Sequence, residues 1–454
     1  MKLAVIGGGG VRSMFLAKSI AQKAEALGLD TLVFMDKDKQ KLRIYGKLAK
    51  RTAFMINPKL NFILTTDAVQ AITDADYVIT TIREGGDEMR VRDERIALSH
   101  GVLGQETTGA AGFSFAMRSV YALRDYCEMV KKYAKPSCKV FNFTNPAGVV
   151  SQTLRDMGYD FTYGICDAPS GMLRSFALLC GADEDSAEGE IYGLNHLSYF
   201  TSVKIDGKEM LDALIENDAA YEKTDMRYFE KSLLRERHAI LNEYLYYFYY
   251  REKALDNILN AAQTRGEQIC EINQHMTEEL SAVDIDNDFD SAFAIFEHWY
   301  GVRENNYMAS ETGVKRKNKW HFDVFQKDSG GYAGVALKFM EIEQSGNSGS
   351  MILCTENNGA IPTLQDSDIV EITCDIIEGK AVPHRFDNAD EQALELIRRV
   401  KIYERLASKA IREKSVQAAV EALTLHPLVN SYSLAKALIN EYLELNKDYT
   451  YDWK

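Results

Sequence analysis

Residues 2–13 read KLAVIGGGGVRS and residues 31–36 read TLVFMD. A short apolar run stops at Gly7, glycines follow through Gly10, a helical pattern runs from about Met14 to Ala26, and a second apolar run ends in Asp36. Strand, glycine turn, helix, strand and acid, in that order, open a dinucleotide-binding βαβ unit. The glycine backbone lets a pyrophosphate approach closely, and its charge sits at the N-terminus of the following helix. Gly7, Gly9, Gly10, Val11 and Arg12 are therefore the expected cofactor contacts. The run is not a clean GxGxxG, because Arg12 or its neighbour stands where the third glycine belongs. Asp36 strengthens the reading: a carboxylate at the end of the second strand accepts hydrogen bonds from ribose hydroxyls and disfavours the extra phosphate of NADP. The expected cofactor is NAD.

Outward from this unit, NFILTT (61–66), DYVITTI (76–82) and CKVFNFT (138–144) read as further strands, with helical stretches between them, above all at 115–133. Strands alternating with helices predict a parallel sheet. After about residue 165 the character changes. Tyrosines crowd YLYYFYY (244–250), long helical patterns cover 253–281 and 389–446, and SMILCTENNGAI (350–361) reads as a strand entering a turn. No Pro- or Gly-rich linker separates the halves. The expected architecture is α/β. A Rossmann-type NAD-binding domain occupies 1–165, a mixed, largely helical α+β domain occupies 166–454, and the active site lies in the crevice between them.

Composition narrows the function. The 454 residues carry a net charge of −14, which disfavours a nucleic-acid binder and repels anionic substrates at long range. A phosphate ester would need local arginines. No apolar run approaches the ~20 residues of a membrane span, and the N-terminal run breaks into glycines too early for a signal peptide. Seven scattered cysteines without a CxxC pair read as reduced thiols of the cytosol. A cytoplasmic chain is expected, with no membrane or nucleic-acid partner.

Four segments concentrate polar residues in apolar surroundings: GQETTG (104–109), NFTNPAG (142–148), GICDAPSG (164–171) and YGLNHLS (192–198). Cys166 and His196 each end an apolar run; together they offer a thiolate and an imidazole to a divalent metal with open positions. By themselves, 30 residues apart, they read more readily as a buried core cysteine and a satisfied histidine. Asp167 reads as a general acid, a residue orienting the metal loop, or a turn residue before Pro169. The tyrosines at 244, 246, 247, 249 and 250 most simply form the packed face of a helix, and one would serve as a base if a cation lowered its pKa. Arg90 and Arg265 are candidate phosphate forks or ordinary surface arginines.

Read with the glycine turn, these four segments, in this order and spacing, resemble glycoside hydrolase family four, over nearly the whole chain from MKLAVIGGGG to LTLHPLVNS. The resemblance implies NAD and a divalent metal, usually Mn2+, as cofactors, and a 6-phosphorylated sugar as substrate. It implies Cys166 and His196 as metal ligands, Tyr244 as the base and Asp167 as the acid. Arg90 and Arg265 would lie near the sugar phosphate, and Asn145 near sugar and nicotinamide. Glu106 in GQETTG and Asn195 in YGLNHLS would also line the substrate site. The implied route is oxidation at sugar carbon 3, loss of the carbon 2 proton, departure of the aglycone, addition of water and re-reduction, an exception to two-carboxylate hydrolysis. Cys-Asp-x-Pro leans toward 6-phospho-α-glucosidases, whereas NFTNPAG and LHPLV lean toward 6-phospho-β-glucosidases, so both anomers stay open. The expected assembly is a homodimer or homotetramer. Competing readings are an NAD-dependent dehydrogenase of a sugar or 2-hydroxy acid, a non-catalytic NAD sensor, and a family-four α-glucosidase or α-galactosidase acting on unphosphorylated sugar.

Overall fold

The structure, a computed structural model, describes residues 1–316, 320–327, 333–387 and 389–454. Its strands, in chain order, are β1 (Lys2–Ile6), β2 (Thr31–Met35), β3 (Asn61–Thr65), β4 (Tyr77–Thr80), β5 (Lys139–Asn142), β6 (Thr162–Gly164), β7 (Ala187–Leu194), β8 (Leu197–Ile205), β9 (Lys208–Glu209), β10 (Ile240–Leu241), β11 (Gly349–Glu356), β12 (Ile369–Ile377) and β13 (Lys380–Pro383). The first six pair in parallel in the order β3-β2-β1-β4-β5-β6, the strand order of dinucleotide-binding sheets. Their unbroken apolar runs follow from burial on both faces. Leu3, Ala4, Val5 and Ile6 are fully buried, and the helix Ser13–Lys23 lays Leu16, Ala17 and Ile20 into the core.

The sheet does not stop at residue 165. β11 joins β6 in antiparallel fashion through Cys354 and Gly164, and β12 and β13 extend it to nine strands. Apolar residues of both halves, such as Phe113 and Val149 with Ile397 and Leu438, share one core. The second sheet is built on the β7–β8 hairpin, which leans on β12: Thr373 Oγ1 donates to Gly189 O (2.9 Å) and accepts from Ile191 N (2.9 Å).

The long helical patterns are broken up. The 253–281 pattern becomes Arg251–Asn260 and Arg265–Ser281, separated because Thr264 and Glu267 form a capping box that starts the second helix. The 389–446 pattern becomes Glu391–Glu413, Val416–Leu425 and Tyr432–Leu445. Lys414 turns left-handed (φ 54°) at the first break, and Pro427 follows the second helix. The tyrosine run is not one helical face: Tyr244 stands on a tight turn, Glu243–Leu245, and only Tyr246–Tyr249 is helical. Among the described residues no helix is long and apolar enough to cross a membrane.

Candidate active site

The site grows from the glycine turn. Gly7 N and Gly8 N donate to Met35 O (2.9 and 2.8 Å), folding the turn back over β2. Gly7 adopts φ 97°, and a Cβ there would stand 2.3 Å from Thr81 O, so no other residue fits. Asp36 Oδ2 accepts from Gly9 N (3.0 Å) and Oδ1 from Asp38 N (2.9 Å), while burial raises its pKa. Among the described residues no side chain caps the helix Ser13–Lys23; Ser13 N and Phe15 N close on Gly10 O (3.0 Å) and Arg12 O (3.1 Å), and the positive N-terminal end of the helix meets the cleft at Gly10, Val11 and Arg12. Gly7, Gly9, Gly10, Val11, Arg12 and Asp36 all border a cleft of about 700 Å³.

The cleft runs past the C-terminal ends of the parallel strands, where doubly wound folds bind ligands. After β5, Asn142 Oδ1 accepts from Thr80 Oγ1 (2.9 Å) and Thr144 N (3.2 Å), bracing the loop that carries Asn145 into the cleft wall. After β6 come Cys166 and Asp167. His196 occupies the tip of the β7–β8 hairpin, in left-handed conformation (φ 61°). The fold thus brings Cys166 Sγ within 3.5 Å of His196 Nε2, although 30 residues separate them. His196 Nδ1 is buried without a partner. Burial pushes the imidazole down to about 4, so the ring is neutral, and pushes the Cys166 thiol well up. Among the described residues no third His, Cys, Asp or Glu completes a metal-ligand cluster, which leaves further positions to sugar oxygens or water.

Tyr244 stacks on His196, with ring centroids 4.0 Å apart and planes 7° from parallel. Burial raises its pKa well above the usual phenol value, and Glu243 and Glu106 push the same way. A cation in contact with the phenol is what would lower it, and the adjacent Cys166–His196 pair is where such a cation would sit. Asp167 starts the helix Ala168–Leu179, yet its carboxylate makes no capping bond and faces the cleft. Burial raises its pKa against the pull of Arg12.

The arginines are unequal. Arg90 gives Nε to Glu94 (2.8 Å) and Nη1 to Glu106 (3.2 Å). Glu106 also takes Arg83 Nη1 (2.5 Å); burial opposes its charge, but the two guanidinium groups hold its carboxyl well below the usual range. Glu94 Oε2 accepts from Gly266 N (2.8 Å), tying Arg90 to the helix that begins at Arg265. Arg265 Nη2 donates to Arg303 O (3.1 Å), but its buried Nη1 has no partner. Burial, then Arg303 and Arg90, lower its pKa. Arg303 also lines the cleft; it packs over Tyr300 (5.6 Å) and forms no ion pair among the described residues. Two guanidinium groups thus stand side by side on the cleft wall, an arrangement whose charge a dianion would offset.

Asn195 is the exception among the expected site residues. Its amide donates to Glu371 Oε1 (3.0 Å), turned away from the cleft lining, because the hairpin turn points the neighbouring His196 inward instead.

Residues 2–181 match the family 4 glycosyl hydrolase model, and residues 191–429 match the family 4 glycosyl hydrolase C-terminal domain. The chain belongs to family 4 of the glycosyl hydrolases. This family 4 chain is 28% identical to the 6-phospho-beta-glucosidase BglT of Thermotoga maritima, covering 99% of both proteins. It is 27% identical to the 6-phospho-alpha-glucosidase of Leptotrichia buccalis, covering 98% of both. The solved structure of the Thermotoga maritima 6-phospho-beta glucosidase with manganese, NAD+ and glucose-6-phosphate superposes with a TM-score of 0.81 at 28% identity, over 99% of each chain.

Two residues of the site, Arg303 and Glu371, carry no local signature in the sequence of the family 4 chain. Arg303 lies inside the helix Phe289–Asn305 with no motif around it, and Glu371 sits mid-strand in β12. The one available signal was Glu371 itself, a carboxylate interrupting the apolar run of a buried strand.

Proposed function

We propose that this chain hydrolyses the glycosidic bond of 6-phosphorylated glucosides, α- or β-linked, with NAD and a divalent metal, Mn2+ first, as cofactors. The observation that carries the reading is one cleft in which the glycine turn, the Cys166–His196 pair with Tyr244 stacked on it, and the arginines 265 and 303 all open together. The residues suit both cofactors: the positive end of the helix Ser13–Lys23 and Asp36 border the space for a dinucleotide, and a neutral imidazole whose Nδ1 has no partner among the described residues stands beside a thiol. When bound, NAD supplies reversible oxidation of the sugar ring, and the metal supplies Lewis acidity toward neighbouring sugar oxygens.

The chain's own residues do the rest. Cys166 and His196 hold the metal. Tyr244 takes the carbon 2 proton, and Asp167, whose raised pKa suits an acid, protonates the departing oxygen. Arg265, joined by Arg303, grips the 6-phosphate. Arg90, already committed to two carboxylates, orders the wall behind them, and Glu106 fixes Arg83 and Arg90. Asn145 contacts the sugar near the nicotinamide. Asn195 is reassigned to the support of the His196 turn. Residues 1–165 serve as the NAD-binding half and 166–454 as the metal- and sugar-binding half, within one continuous sheet. Seven unpaired thiols support a cytoplasmic setting; a homodimer or homotetramer is the proposed assembly, tested by light scattering.

Nitrophenyl α- and β-glucosides, with and without the 6-phosphate, test the reading in the presence of NAD+ and Mn2+. Release from the phosphorylated compounds alone, abolished by dialysis against EDTA, is expected. Equal rates on plain glucosides, or full activity after EDTA, overturn it; stoichiometric accumulation of NADH would instead mark a dehydrogenase.

A further inference from the structure

We infer that Glu371 is a positioning residue for the metal-binding imidazole, clamping through Asn195 and Ser198 the turn that presents His196. The inference rests on the reading of Cys166 and His196 as metal ligands. His196 closes a two-residue hairpin turn in left-handed conformation (φ 61°), a backbone state that persists in a non-glycine residue only where the surroundings over-determine it. The over-determination comes from β12. Glu371 Oε1 accepts from Asn195 Nδ2 (3.0 Å) on one side of His196, and Oε2 accepts from Ser198 Oγ (2.9 Å) on the other. Each carboxylate oxygen therefore holds one flank of the turn.

Two further observations separate this role from ordinary packing. Glu371 is 2% exposed, and its donors are an amide, a hydroxyl and the more distant Cys354 thiol (3.9 Å); among the described residues no cation pairs with it. A buried carboxylate without a cation is costly, so a neutral glutamine would serve stability at least as well. Glu371 also neighbours the strand that carries the other arm of the metal pair: Cys354, 3.9 Å from its Oε1, pairs with Gly164, two residues before Cys166. A divalent cation held there would supply the missing positive charge. Partners bonded directly to a ligating histidine typically change metal affinity about 10- to 100-fold, and Glu371 acts one residue further out.

The test uses the full chain loaded with NAD+ and titrated with Mn2+, free aqueous Mn2+ being read by electron paramagnetic resonance and NAD+ affinity separately by fluorescence. Glu371→Gln should weaken Mn2+ about 10-fold, the low end of the range for direct partners of a ligating histidine. The Mn2+ concentration for half-activation should shift by the same factor, while NAD+ affinity holds and kcat recovers at saturating Mn2+. Ser198→Ala, which keeps the charge and cuts one tie, should weaken Mn2+ by a smaller factor in the same direction. A merely structural role would lower Tm and kcat and leave half-activation unmoved, which overturns the inference. If Glu371→Gln does not fold, Ser198→Ala decides: Mn2+ affinity equal to wild type overturns it. Cys166→Ser and His196→Ala serve as controls. Unchanged Mn2+ binding in those variants would sink the metal reading itself, whereas their loss of binding beside a normal Glu371→Gln would sink only the role of Glu371.

Discussion

Arg265→Met keeps the apolar stem and removes a guanidinium whose two fates, with and without substrate, have opposite signs. Without substrate, Arg265 is a strained cation: Nη1 is buried and unpaired, and burial with Arg303 and Arg90 disfavours its charge. An unsatisfied buried donor costs about 1–3 kcal/mol. The one bond that Arg265 donates among the described residues, Nη2 to Arg303 O, gives back about 1 kcal/mol. Glu311 and Glu304 offset part of the remainder. Removing the guanidinium should therefore leave Tm unchanged or slightly raised. In the proposed role, the same group completes a charge-assisted fork on the substrate phosphate, and its loss should cost about 2–4 kcal/mol in kcat/KM, roughly 30- to 900-fold. The assay compares kcat/KM on nitrophenyl glucosides with and without the 6-phosphate, and follows Tm in added inorganic phosphate. Phosphate should raise Tm of the wild type by mass action and leave the variant nearly unmoved. Wild-type kcat/KM on the phosphorylated substrate, or a variant stabilised by phosphate as much as the wild type, would refute the assignment.

Three further outcomes are expected. Gly9→Ala would place a Cβ 2.9 Å from Asp36 Oδ2, a carboxylate anchored by two backbone amides, so NAD+ affinity should fall about 10- to 100-fold by calorimetry; wild-type affinity would show that Asp36 does not hold the ribose. In D2O, turnover should place deuterium on carbon 2 of the released sugar phosphate, and Tyr244→Phe should abolish that exchange while NAD+ still binds; unlabelled wild-type product, read by NMR, would exclude proton abstraction there. His426 is buried, its imidazole pushed by burial down to about 3 from the ordinary 6.5, with Nδ1 accepting from Leu428 N (3.1 Å). A depressed histidine contributes fully above pH ~6.5 and loses that contribution as pH falls toward the folded value, about 2 kcal/mol between pH 7.5 and 5. His426→Asn keeps an acceptor for Leu428 and should flatten this slope in urea unfolding at the two pH values; an unchanged slope would place the acid sensitivity elsewhere.

What the chain's sequence decided by itself is local. The apolar run that stops at Gly7, the glycines, and the apolar run that ends in Asp36 specify strand, turn, helix and strand, because buried parallel strands, tight turns and ribose contacts each demand particular residue types at short spacing. The same holds for the loops after β5 and β6, where NFTNPAG and GICDAPSG carry their chemistry within a few residues. The long helical patterns were legible as helix but not as separate helices, since a capping box or a left-handed residue such as Lys414 decides a break that periodicity does not show. Tertiary structure alone decided which groups meet. It joined β11 to β6, set His196 against Cys166 and Tyr244, turned Asn195 toward Glu371, and paired Arg90 with carboxylates while leaving Arg265 beside Arg303. The physical reason is that a polar side chain's role depends on its burial and on the charges around it. Several of the groups that decide it lie far along the chain, as Glu371 does from Asn195 and Glu94 from Gly266, and no local pattern records them.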